Sequence, residues 1–314
     1  MGKMKICTLC PRNCTVDREN GERGICGQTE KLKVARAALH YWEEPCISGT
    51  KGSGTVFFSG CSLHCVFCQN RNIANGDAGK EISIGRLADI FLELQQKGAN
   101  NINLVTPGHF VPQIVTALHE AKKSGLTIPI VYNTSSYESV NTIRQLEGLV
   151  DIYLPDFKYM DAALSAKYSH AADYSEVAKA TIAEMVRQTG KAVFAEPAAS
   201  TAATDETDPV EEGYLMRRGT IVRHLLLPGQ KEDAKAVIRY LYETYGDSIY
   251  ISIMNQFTPL AGLEKYPELN RRVTKEEYDE VVDYAIALGV ENGFIQEGET
   301  AEESFIPEFD GEGV

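Results

Sequence analysis

The sequence predicts an α/β fold built on a parallel sheet, and three observations carry that expectation. Six short runs rich in β-branched and aromatic residues recur: TVFFS (55–59), INLVT (102–106), IPIVYN (128–133), VDIYLP (150–155), GTIVRHLLLP (219–228) and SIYISIM (248–254). Continuous apolar character suits strands buried on both faces. Amphipathic stretches lie between the runs and give six β-then-α units, the crossovers that parallel strands need. The 314 residues, 43% hydrophobic, are enough for one large α/β unit.

Three zones follow: a Cys-rich N-terminal extension over 1–45, the α/β body over 46–296, and an acidic C-terminal tail over 297–314. In the body, IGRLADIFLELQQKG sets Leu87, Ile90, Phe91 and Leu94 on one helical stripe, and Gly98 stops it. QIVTALHEAKKSG does the same with Ile114, Leu118 and Ala121. Further helices fit 137–147, 174–189, 231–245 and 274–288. The stretch 195–213 has six acidic residues and no basic one, and reads as an inserted surface loop. The tail holds seven acidic residues and no Lys or Arg, the pattern of a solvated or loosely docked end, although Phe305, Ile306 and Phe309 give it apolar contacts to offer.

The net charge of −13 and the lack of a Lys/Arg cluster argue against nucleic acid. No apolar run reaches the length of a membrane span, and the N-terminus has no apolar signal segment, so a cytoplasmic protein is expected. Eight cysteines in a reducing compartment read as metal ligands or catalytic thiols rather than disulfides.

GCSLHCVFCQN (60–70) places Cys61, Cys65 and Cys68 as C-x3-C-x2-C. Three close thiolates select zinc, copper(I) or an iron–sulfur cluster. A structural zinc site wants four protein ligands, and His64, in a tight loop between two ligands, more easily points away. A [4Fe–4S] cubane on three cysteines keeps one iron open for a small molecule, as an open zinc position marks a catalytic site. The competing reading is a zinc knuckle in an α/β protein.

Cys61, Cys65, Phe67 and Cys68 resemble the C-x3-C-x-aromatic-C signature of radical S-adenosylmethionine (SAM) enzymes, position by position. The resemblance implies a partial (β/α)6 barrel, in agreement with the six units. It also implies a [4Fe–4S] cluster whose open iron chelates SAM, and reductive cleavage of SAM to a 5′-deoxyadenosyl radical that takes hydrogen from a substrate. Over nearly the whole chain the closer similarity is to the PflX-like branch, homologues of pyruvate formate-lyase activating enzyme. It is carried by CTLCPRNCTVDRENGERGICG, GSGTVFFSGCSLHCVFCQN, NINLVTP, IPIVYNTSSYES, DIYLPDFKY and RHLLLPG. The chain departs from the activases at Thr55–Val56, where they carry a basic residue, and at VTPGH, where they carry G-G-E.

The resemblance places Phe67 near adenine and Thr106–Pro107 at the SAM amino group, and makes His109 a candidate substrate contact. Asn133, Thr134 and Ser135 stand where the activases reach the SAM ribose or a monovalent cation; the same residues suit a plain helix cap. Asp156 and Lys158, one strand period apart, would anchor the methionine part and a cation or pair with each other. Arg223 and His224 interrupt an apolar run; a buried charge needs a partner, and the SAM carboxylate fits Arg223. Asn255 and Gln256 close the last strand as weaker candidates.

Cys7, Cys10, Cys14 and Cys26, as C-x2-C-x3-C-x11-C, make a closed four-thiol set for zinc or a second [4Fe–4S] cluster. Zinc would staple a segment too short for its own core; a cluster would relay electrons or hold substrate. Cys46 reads as a small buried hydrophobe. The expected function is a radical SAM oxidoreductase, activase-like, acting on a protein and reduced by a flavodoxin or ferredoxin. The alternatives are a radical SAM enzyme acting on a small molecule, and a non-catalytic iron–sulfur or zinc electron carrier.

Overall fold

The structure, a computed structural model, describes residues 6–195, 214–296 and 307–314. Its strands are β1 (Lys33–His40), β2 (Ser53–Phe58), β3 (Lys80–Glu81), β4 (Ile102–Val105), β5 (Ile130–Thr134), β6 (Ile152–Pro155), β7 (Val193–Phe194), β8 (Met216–Leu225), β9 (Tyr250–Met254) and β10 (Gly293–Ile295). Its helices are α1 (Pro45–Ser48), α2 (Arg71–Ala74), α3 (Ile84–Gln96), α4 (Val111–Lys123), α5 (Val140–Arg144), α6 (Ala162–Ser169), α7 (Tyr174–Thr189), α8 (Lys231–Tyr245) and α9 (Lys275–Leu288).

All six expected runs form strands, and a helix follows each where the periodicity places one. The strands pair in the order β10-β9-β8-β6-β5-β4-β2-β1-β3, with β7 added antiparallel to β8. From β2 to β10 neighbouring strands on this path run parallel; β1 pairs antiparallel with both β2 and β3. The path is linear, and among the described residues no pairing joins β10 to β3. The arrangement is therefore a parallel-rich α/β sheet with an added parallel strand, β10, and an antiparallel edge. A barrel closure is not part of the strand pairing. β1 also falls inside 1–45, the stretch expected to be wholly extension.

Burial on both faces explains the apolar runs. Every residue of β2, β4, β5 and β6 is buried. Leu87, Ile90, Phe91 and Leu94 of α3 pack with Ile114, Leu118 and Ala121 of α4 against β2, β4 and β5. A second core forms where α7, α8 and α9 cover β8 and β9, with Ile182, Val237, Ile238, Leu241 and Val281 at its centre. Two helices start on sequence-encoded caps: in α3 Ser83 accepts from the Arg86 amide, and in α9 Thr274 with Glu277 closes a capping box. Cys46 is buried, as expected.

The described end of the tail is docked. Glu312 O accepts from the Ala37 amide, and the Gly311 amide donates to Ala35 O, so the segment lies along β1. Arg36 pairs with Asp310 and Glu312, and Phe309 packs edge-on against Phe57 at 5.3 Å. The rest of the tail (297–306) and nearly all of the inserted acidic stretch (196–213) lie outside the described residues. No helix among the described residues is long and apolar enough to cross a membrane.

Candidate active site

The carboxyl ends of parallel strands open onto a common crevice, the usual place for ligands in α/β sheets. Here they bring Cys61 after β2, Thr106 after β4, Thr134 and Ser135 at β5, Asp156 after β6, Arg223 on β8 and Gln256 after β9 to one cavity of about 660 Å³. Cys65, Phe67, Cys68, Asn133 and Lys158 line it as well. Pro107 and Asn255 do not; Pro107 leads a short 3₁₀ turn instead.

The three thiols are not in disulfides, and all three line the cavity. Burial raises Cys65 to about 11, with Lys158 pulling the other way and Cys61 adding to the rise. Burial raises Cys68 to about 12, helped by repulsion from Cys65 and Cys61. Cys65 and Cys68 are thus both held toward the neutral thiol, by burial first and by neighbouring sulfur charge second. A soft cationic centre would supply the opposing charge. The Leu63 amide faces Cys61 Sγ at 3.4 Å, and the Ser169 hydroxyl donates to Cys65 Sγ at 3.0 Å. The donor set fits a three-cysteine cluster. Among the described residues no group of three or more His, Cys, Asp or Glu is gathered tightly enough for a single metal ion. A cubane needs a wider spread, since each cysteine meets a different iron. Phe67 is buried, 6.0 Å from Phe257 in edge contact.

The loop itself is pinned from outside. His64 has φ +52°, and its Nε2 lies 2.8 Å from Ile25 O, so the ring turns away from the thiols as expected. Gly60, at φ +92°, has no room for a side chain, because a Cβ would stand 2.5 Å from Cys26 O.

A charged network that includes Lys158, close enough to act on Cys65, also lines the cavity. Arg223 donates from Nε to Asp156 Oδ1 at 3.0 Å, from Nη1 to Glu43 Oε2 at 3.1 Å and from Nη2 to Asn133 Oδ1 at 2.6 Å. Lys158 Nζ donates to the other Asp156 oxygen at 2.7 Å. Asn103 and Asn133 donate to Glu43 Oε1 at 3.1 and 3.3 Å. Burial opposes the Asp156 charge, yet Lys158 and Arg223 hold its carboxyl below the ordinary value. Burial raises Glu43 and Glu44 against the pull of Arg223. The guanidinium expected to meet the SAM carboxylate is thus already engaged by three protein acceptors. The Asp156–Lys158 pairing weighed in the sequence is realised.

Glu43, Glu44 and Asn103 were not legible as site residues. The acidic pair precedes Pro45, the start of α1, in a stretch assigned to the extension. Glu44 Oε2 and Asn103 Oδ1 are buried without a hydrogen-bond partner.

One histidine corrects the expectation. His109 is turned into the core rather than the cavity: Nε2 meets Ser59 O at 2.7 Å, and burial, with Arg18 nearby, lowers it to about 3. His224, to which the sequence assigns no site role, is buried with Nδ1 at 2.8 Å from Phe157 O. Thr106, with φ +56°, holds a strained backbone at the cavity wall.

Cys7, Cys10, Cys14 and Cys26 come together on a segment that has no helix or strand over residues 6–32. A Cβ on Gly24 would lie 3.1 Å from Cys14 Sγ and 3.4 Å from Cys26 Sγ, so the glycine leaves the space where these sulfurs converge. Burial pushes Cys10 up to about 12, and charge on Glu138, Cys26 and Cys7 adds to it. The four thiols share one neighbourhood, but they are not drawn tightly enough together for a single metal ion.

Residues 48–174, from before the triplet through the start of α7, match the family model of a 4Fe-4S single cluster domain. An uncharacterized protein of Methanocaldococcus jannaschii is 27% identical over 290 residues, 90% of this chain and 74% of its own length. Among solved structures, SuiB of Streptococcus suis bound to S-adenosylmethionine aligns with 12% identity and a TM-score of 0.49, over 76% of this chain and 48% of that one. HydG, a maturase of the [FeFe]-hydrogenase, aligns with 14% identity and a TM-score of 0.49, over 76% and 50%. A domain of pyruvate-formate lyase-activating enzyme from Bacteroides vulgatus aligns with 11% identity and a TM-score of 0.40, over 60% and 91%. The chain thus spans about half the length of SuiB and HydG.

Proposed function

We propose that the chain is a radical SAM protein, in which Cys61, Cys65 and Cys68 hold a [4Fe–4S] cluster and the cavity beside them binds SAM. The observation that carries this reading is the convergence of three thiols and a polar, charged wall on one cavity of about 660 Å³. When bound, the cluster supplies the electron that cleaves SAM to a 5′-deoxyadenosyl radical, which takes hydrogen from the substrate.

The chain's own residues position the reactants. Phe67 offers an apolar ring toward adenine. Thr106, Asn133, Thr134 and Ser135 offer polar groups along the wall to the amino group, the ribose or a monovalent cation. Lys158, Asp156 and Arg223 set the charge at the methionine end. Arg223 reaches a SAM carboxylate by exchanging Glu43 for it, since Glu43 is the partner that burial most discourages from ionising. Buried walls keep water from the radical.

The finer reading is activase-like: the hydrogen donor is a polypeptide. Trp42, 64% exposed and on the cavity lining, is a large apolar surface at the mouth for such a partner. The quartet at Cys7, Cys10, Cys14 and Cys26 holds zinc or a second cluster, and a cytoplasmic flavodoxin or ferredoxin supplies the electron. Anaerobic reconstitution with iron and sulfide, then dithionite and SAM, tests the core of this reading. We expect 5′-deoxyadenosine; its absence from protein that holds a full cluster would end the proposal.

A further inference from the structure

Ser169 closes α6 and is completely buried. Its hydroxyl donates to Cys65 Sγ at 3.0 Å and lies 2.8 Å from the Tyr159 hydroxyl, itself 1% exposed. A serine has one hydroxyl proton. Since that proton goes to sulfur, Tyr159 is the donor to Ser169. Two buried hydroxyls therefore point in series at one thiol of the triplet, and such chains polarise one another.

The turn that carries Ser169 is fixed from the N-terminal segment. Arg12, between Cys10 and Cys14, donates to Ser62 O at 2.8 Å, Leu63 O at 3.5 Å, Ser169 O at 3.1 Å and His170 O. Its guanidinium also lies 5.0 Å from the Tyr137 ring centre. One side chain thus clasps both the cysteine loop and the end of α6. A cation is favourable at a helix C-terminus, and His170 there sits at φ +53°.

We propose that Ser169 is a positioning residue that sets the redox poise of the triplet site, and that Arg12 holds it in place from the quartet's segment. The inference rests on the reading of Cys61, Cys65 and Cys68 as cluster ligands. A hydrogen bond donated to a ligand sulfur stabilises the more negative, reduced state and raises the reduction potential. The step is one electron from an external reductant, with no bond made or broken. Burial of the hydroxyl pair in a low dielectric makes the bond stronger than it would be in water.

The test is an EPR-monitored redox titration of the anaerobically reconstituted full chain, with dithionite as reductant. The triplet's signal is the one that changes when SAM is added. Ser169→Ala, at equal iron content and equal thermal midpoint, is expected to lower the reduction equilibrium constant about tenfold, or about 59 mV for one electron. Tyr159→Phe should shift it the same way by less, and Arg12→Ala should fall between the two. An unchanged potential in Ser169→Ala would overturn the proposal. If Ser169→Ala takes up less iron, Tyr159→Phe decides alone, and no shift there overturns it. A wild-type protein with no SAM-responsive signal defeats the cluster reading itself and takes this inference with it.

Discussion

Cys61, Cys65 and Cys68 hang from the end of a fully buried strand and face a cavity, whereas Cys7, Cys10, Cys14 and Cys26 sit on a segment with no helix or strand over residues 6–32. The first site borrows its geometry from the sheet and has one ligand too few to close. The second carries four thiols on a segment that Arg12, Arg18 and Thr142 tie to the body by hydrogen bonds rather than by helix or strand. On the proposed reading that both sets hold metal, ligand energy adds to folding at the second site and is not needed for the sheet at the first.

The largest effect should come from exchanging one cysteine at each site. Cys65→Ala should bring 5′-deoxyadenosine formation below detection while circular dichroism and the thermal midpoint stay near wild type. Cys26→Ala should do the reverse at the segment: quartet metal is lost, and limited trypsin digestion cuts at Arg18 or Arg23, inside 6–32. If Cys26→Ala leaves the segment as resistant as wild type, the contrast between the sites collapses.

A smaller effect tests whether the cavity wall is also carried by the fold. Asp156 is the shared anion of Arg223 and Lys158, and these three side chains are only 13–16% exposed. Asp156→Asn leaves Arg223 with Glu43 and Glu44 and takes from Lys158 the carboxylate it is hydrogen-bonded to. Removing one partner of such a buried set costs about 3 kcal/mol, read as a lower urea midpoint at pH 7. SAM affinity should fall with it. A variant with wild-type stability and weaker SAM binding would mark the network as ligand machinery alone.

The legible half of this design is the half written in local periodicity. Strand runs are apolar because both faces are buried, so all six were readable, and so was the stripe from Leu87 to Leu94 that covers them. The cysteines were readable because their chemistry demands close spacing in the chain. Glu43 and Glu44 were not, because their meaning depends on Arg223, 180 residues away in sequence from Glu43. Ser169 was hidden for the same reason: its partner Cys65 lies 104 residues earlier. β1 was missed because KVARAALH carries the charged Arg36 within it, and that charge is satisfied by the docked tail. His109 misled because position after a strand says nothing of rotamer; Ser59 O and Arg18 draw it inward.

Glu138 belongs to neither cysteine site and touches the surroundings of both, so it gives the finest test of their separation. Its carboxylate accepts from Thr134 Oγ1 at 2.7 Å and from Tyr132 at 3.3 Å, while its charge raises the Cys10 thiol. Burial raises Glu138 from the ordinary 4.5 to about 7 against those two hydrogen bonds. The unfolded carboxyl loses its proton near pH 4.5, and the folded one keeps it to about pH 7. The folded state therefore binds more protons between these values, and stability falls as pH rises through the window, then levels above it. The span corresponds to about 3 kcal/mol. Glu138→Gln removes this contribution, so the difference in urea-unfolding free energy, variant minus wild type, should grow in the variant's favour from pH 4.5 to pH 7 and stay flat to pH 8. Above pH 7, where Glu138 is ionised, the same substitution takes a negative charge from beside Cys10 and should tighten quartet metal binding without moving the SAM-responsive signal of the triplet. A difference that does not vary with pH would show that Glu138 is ionised in the fold. A shift in the triplet's signal would show that the two sites share more than Arg12.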